Sequence, residues 1–133
     1  MVESKVVYEG GLRCTLTHGP SGARIATDAP IDNHGRGEAF SPTDLVGAAL
    51  GSCILTTMGI VAKRRSIAME GASATVVKEM TSEGPRRIAR LGVVIALPAA
   101  LSGADREILR KAGEACPVHR SLHPDVRIDV TFE

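Results

Sequence analysis

Ser41-Pro-Thr-Asp-Leu-Val-Gly-Ala-Ala-Leu-Gly-Ser-Cys53-Ile-Leu-Thr-Thr-Met-Gly-Ile-Val-Ala62 opens like a helix and then runs to its end without a charge. Ser41 suits the N-cap, Pro42 the first helical position and Asp44 the third, where an acid meets the exposed N–H groups. From Leu45 to Ala62 the helix is apolar on every side, so protein or lipid must cover it. It is just long enough to span a bilayer, and Gly47 and Gly51 form a small GxxxG pair. Against a membrane stand Ser52, Thr56 and Thr57, the lack of aromatic anchors, and flanking half-apolar strands that need a cover. The expectation is a buried central helix and no membrane.

Residues 1–29 read as β. Gly10-Gly11 suits a tight hairpin, and Leu12, Cys14 and Leu16 alternate with Arg13, Thr15 and Thr17. Gly19-Pro-Ser-Gly22 marks a second turn before a third strand, Ala23–Thr27. Residues 30–40 have turn chemistry without periodicity and form a candidate functional loop. Beyond the helix, Ala72–Met80 and Arg87–Leu97 read as an antiparallel pair joined by the polar turn Thr81–Pro85. Ser102-Gly-Ala-Asp105 opens a second helix with Ile108, Ala112 and Cys116 on one face. Pro117 holds Cys116 extended and should end that helix. Val126–Phe132 alternates as a last strand. The order βββ-α-ββ-α-β, without repeat or linker, predicts one α+β domain over residues 1–133.

Composition narrows the function. The net charge of +1 argues against a nucleic-acid partner. Lys63-Arg64-Arg65 reads as a solvated helix C-terminus rather than a binding patch. With aromatic residues at 2%, few platforms exist for stacking bases or sugars. Met1-Val-Glu-Ser-Lys5 lacks the basic start and apolar run of a secretory peptide, so a cytoplasmic protein with free thiols is expected. Cys14, Cys53 and Cys116 follow no CxxC or Cys/His spacing, and no metal site or cofactor is expected.

Taken singly, each cysteine reads as a small core hydrophobe, Cys14 above all. Cys53 and Cys116 differ in lying on helices whose apolar sides face inward, Cys116 at a helix break. A reactive Cys53 sits about three turns from its helix N-terminus, out of reach of the dipole, so it calls for a nearby cation. Arg36, in the Gly-rich loop, and Arg24, on the third strand, rank equal, with Arg13 behind them. His119 could polarise the Cys116 region, although a histidine in such a turn usually has a structural hydrogen bond.

Phe40-Ser-Pro-Thr-Asp-Leu-Val-Gly-Ala-Ala-Leu-Gly-Ser-Cys53 resembles the (S/N)P-x-(E/D)-L-x-x-A-A-x-G-x-C helix of the OsmC/Ohr family. Ala115-Cys-Pro-Val-His-Arg-Ser-Leu122 resembles that family's second cysteine motif, and the element order agrees along essentially the whole chain. The resemblance implies an intertwined homodimer with mostly antiparallel sheets around the central helix. It also implies a peroxidase of oxidative or osmotic stress defence. Cys53 would attack an organic hydroperoxide, and Cys116 would resolve the sulfenic acid to a disulfide. An external dithiol, a lipoyl protein or a thioredoxin-like one, would then reduce that disulfide. One departure stands out. Where the hydroperoxide-resistance branch keeps a glutamate that holds its arginine, this chain has Thr43, followed by Asp44 as in the OsmC-like branch. On an ideal helix Asp44 and Cys53 lie on opposite sides, about 13 Å apart along the axis. Asp44 therefore reads first as a cap, although it could steer an arginine. The missing glutamate favours an alternative: a redox sensor or small-molecule binder that keeps the thiols without efficient turnover.

Overall fold

The computed structural model describes all residues, Met1–Glu133. The chain forms two compact units, Met1–Val46 and Gly47–Glu133, with the boundary inside the long helix.

The first unit is a three-stranded antiparallel sheet of β1 (Ser4–Gly10), β2 (Arg13–His18) and β3 (Arg24–Asp28), in that order. Its first turn shows why glycines stand there. Gly10, Gly11 and Leu12 all have positive φ, a conformation free to glycine and strained for Leu12. Leu12 thus belongs to the turn, and the alternation begins one residue later than the sequence pattern suggested. Register places Leu16 opposite Val6 and Ile25, and Cys14 opposite Tyr8 and Thr27, so these side chains share one face. Yet this unit buries no hydrophobic side chain; Val6, Tyr8 and Ile25 are each more than half exposed. Cys14, read as a core residue, is only half-buried for the same reason. The loop after β3 holds a single 3-10 turn, Ile31–Asn33. It folds back on the strand end: Glu38 N–H donates to Asp28 Oδ2 at 3.0 Å, and Asp28 N–H to Phe40 O at 3.0 Å.

The helix α1 runs Pro42–Arg65. Its start is a reciprocal capping box, in which Asp44 N–H donates to Ser41 Oγ at 3.1 Å and Ser41 N–H to Asp44 Oδ2 at 2.9 Å. Ser41 is buried, so the exchange leaves neither polar group stranded.

The second unit packs α1 on a sheet of order β4-β5-β6 (Ser73–Met80, Ile88–Ala96, Arg127–Phe132). β4 and β5 are antiparallel, as their polar turn predicts. β6 joins β5 in parallel, because the chain returns through α2 (Gly103–Gly113) and α3 (Pro117–Ser121) instead of a hairpin. Leu50, Ile54 and Met58 of α1, Leu91, Val93 and Ile95 of β5, and Leu109 of α2 make the core. The glycine pair of α1 is explained by the sheet. A Cβ at Gly51 would stand 2.9 Å from Val76 Cγ2, and one at Gly47 3.3 Å from Val76 Cγ1. Gly113 plays the same part for α2, with Ile54 Cγ2 at 3.3 Å from its would-be Cβ.

Two expectations need correction. The buried face of α2 carries Leu109 and Gly113, while Ile108 and Ala112 are half-buried; close approach to α1 needs the residue without a side chain. And α1, although long and apolar enough to cross a membrane, is not covered on all sides. One face is buried within the chain, whereas Ala49, Ser52, Thr56 and Ile60 on the other are exposed.

On the outer face of this sheet the Arg90 guanidinium lies over Gly92. Its Nε donates to Asp129 Oδ2 at 2.6 Å and its Nη1 to Glu79 Oε1 at 2.8 Å, so one arginine ties the three strands together.

Candidate active site

Cys53 and Cys116 meet within the second unit. Cys53 lies mid-way along α1 and is half-buried. Cys116 is fully buried. As Pro117 requires, it is extended (φ −60°, ψ 117°), and α2 ends at Gly113. What the sequence reading took for a post-helix turn is the short helix α3, with Pro117 in its first turn and Cys116 as N-cap. The cap is the sulfur: His119 N–H donates to Cys116 Sγ at 3.4 Å. All three cysteines are free thiols.

The two sulfurs are within hydrogen-bond reach, and their environments push them apart. Burial raises the Cys53 thiol, but hydrogen bonds from the Cys116 thiol, the Val118 N–H and the Thr57 hydroxyl outweigh it and leave its pKa below the ordinary value. Cys116 is raised, first by burial and then because its proton is held in the bond to Cys53. The proton therefore resides on Cys116 and the negative charge on Cys53. That is the polarity of an attacking thiolate beside a waiting thiol.

The sequence argument sought a cation here. The groups that lower Cys53 are instead neutral donors, two of which it did not see. Thr57 was legible, standing four residues from Cys53 on one helix face; the Val118 N–H was not, since only folding brings α3 to α1. Asp44 is a helix cap, as expected. His119 serves Cys116 through its backbone, while the residue also lines a cavity of about 540 Å³ with Ile54, Ile128, Val130 and Phe132. The three candidate arginines belong to the first unit. Arg13 lies 3.7 Å from Glu38, whereas Arg24 begins β3 and Arg36 follows the 3-10 turn, both exposed. Nowhere do three or more His, Cys, Asp or Glu side chains gather to hold a metal ion.

A two-cysteine site of this kind, on this fold, can be compared with known proteins. The family model described as OsmC-like protein matches residues 35–131. The chain belongs to the OsmC/Ohr family. A Psychrobacter arcticus 273-4 protein named for osmotic stress induction and a detoxification response is 41% identical. It aligns over 100% of this chain and 96% of its own, with a TM-score of 0.92. The organic hydroperoxide resistance protein OsmC of Legionella pneumophila is 20% identical over 100% of this chain and 96% of its own, with a TM-score of 0.77. An organic hydroperoxide resistance protein of Elizabethkingia anophelis is 14% identical over 100% and 95%, also with a TM-score of 0.77. These last two likenesses show the OsmC fold alone. No curated protein matches the chain.

Proposed function

We propose that this OsmC-family protein is a thiol peroxidase that reduces organic hydroperoxides in stress defence. The observation that carries the reading is the contact between Cys53 and Cys116, with Cys53 lowered and Cys116 raised. The Cys53 thiolate attacks the terminal peroxide oxygen, forming S–O as O–O breaks. The alkoxide leaves and takes a proton to become the alcohol. The Cys116 sulfur then attacks Cys53–S–OH, releasing water and forming the disulfide. An external dithiol, lipoyl or thioredoxin-like, returns both thiols by exchange. The apolar cavity beside Ile54 and Phe132 suits an apolar substrate. Organic hydroperoxide resistance is also the named role of structural neighbours.

The working form in this reading is a cytoplasmic homodimer. The exposed side of α1 and the uncovered sheet of the first unit support it, since both leave apolar surface bare in one chain. Arg36 or Arg24, and after them Arg13, would add a cation to the Cys53 site in that dimer.

The test is peroxide consumption. Reduced protein with cumene hydroperoxide and either dithiothreitol or a lipoylated reductant should turn over, and Cys53→Ser should abolish it. No consumption by the wild type at any protein concentration sinks the proposal. A second reading, a redox sensor oxidised once without turnover, is favoured by Thr43 standing where the hydroperoxide-resistance branch has glutamate. It would show as a stoichiometric burst only.

A further inference from the structure

Of the three donors that meet Cys53, two travel together. Cys116 and the Val118 N–H belong to the same short segment at the start of α3. That segment must shift when Cys116 gives up its proton and attacks the oxidised sulfur. Thr57 stands instead on α1, one turn from Cys53, and keeps its place whatever α3 does. A threonine inside a helix ordinarily turns its hydroxyl back to the carbonyl four residues earlier. Here the residue four earlier is Cys53, and the hydroxyl reaches its sulfur. The position is half-buried, so water competes poorly for that sulfur.

We infer that Thr57 is a further catalytic residue of the dithiol site, the fixed donor that holds the Cys53 thiolate independently of the Cys116 segment. The inference rests on Cys53 being the reactive thiol, as proposed above, but it does not require turnover. Threonine cannot be spent in the cycle. Cys116 loses its proton in every round, so a thiolate regenerated while α3 is still displaced would have Thr57 alone to meet it.

The experiment reads the sulfur directly. Full-length reduced protein is alkylated with iodoacetamide across a pH series, and the rate at Cys53 is followed by mass spectrometry. Cys116 is the titratable neighbour of this sulfur, so site-resolved rates are needed. Thr57→Val keeps the shape and removes the donor. Its Cys53 midpoint should rise by about one pH unit, which is about tenfold slower alkylation below both midpoints. Thr57→Ser restores the hydroxyl and should return the curve to wild type. The upward shift from Thr57→Val should persist in a Cys116→Ala background. If Thr57→Val fails to fold, Thr57→Ala should show the same shift. Curves for the valine variant that overlay wild type overturn the inference. So does a serine variant that moves with the valine one, since packing would then be the cause. So does a shift that vanishes without Cys116. Absence of cumene hydroperoxide turnover in the wild type would remove the peroxidase reading and leave these curves to be judged by themselves.

Discussion

Cys53 and Cys116 share a hydrogen bond yet differ in what each does with a proton. Cys53 accepts from three donors, while Cys116 donates to its partner and is fully buried. Because the thiolate is the nucleophile, the two should be distinguishable by rate. Limiting iodoacetamide at pH 7 should modify Cys53 well before Cys116, by tenfold or more, as read by peptide mass spectrometry. Raising the pH through the lowered Cys53 value should accelerate its labelling before that of Cys116 rises. Equal labelling of the two would contradict the polarity argued for the pair. At this scale the cysteines and Asp44 were legible, since their motifs and the cap are local patterns. The Val118 N–H was not, because no spacing rule relates a helix at residue 53 to a backbone amide at 118.

Helices and strands here are specified by small residues as much as by large ones. Gly47, Gly51 and Gly113 let α1 lie close on β4 and α2 close on α1. Gly51→Ala gains helix propensity but puts a methyl 2.9 Å from Val76 Cγ2. Overpacking should win, destabilising the fold by about 1–3 kcal/mol as measured by urea unfolding. A variant as stable as wild type would mean that Val76 yields freely. Charge joins the strands of the second unit as well. Arg90 and Arg127 hold the Asp129 carboxyl below the usual range. A carboxylate depressed on folding stabilises above its unfolded pKa of about 3.9, and that contribution is lost as pH falls through the folded value. The stability gap between wild type and Asp129→Asn should therefore be present at pH 6 and close as the pH falls below the carboxylate range. Chemical denaturation at several pH values measures it. A gap that does not change with pH would assign the effect to shape.

Taken whole, one chain leaves its own surfaces unfinished. The first unit has an apolar sheet face with no buried hydrophobic residue, and α1 shows Ile60 half exposed opposite its buried side. Sedimentation should give a mass of two chains, each of 13.9 kDa, at micromolar concentration. Ile60→Asp should shift the equilibrium toward one chain and, if the site depends on the partner, lower peroxide turnover with it. A wild type that runs as one chain at all concentrations would refute the dimer. The uncharged run from Leu45 to Ala62 said that cover was needed, and the structure shows how much of that cover a single chain provides.

The sequence alone determined the element order, the capped start of α1, the end of α2 before Pro117 and the two cysteine motifs. All of these follow from local propensity, periodicity and short-range hydrogen bonding, which act within a few residues. Tertiary structure alone decided that β6 runs parallel to β5, that Gly113 rather than Ile108 meets α1, and that Cys116 hands its proton's hydrogen bond to Cys53. Those outcomes depend on which surfaces pack together across many tens of residues. Packing is a property of shape and burial that no local pattern encodes.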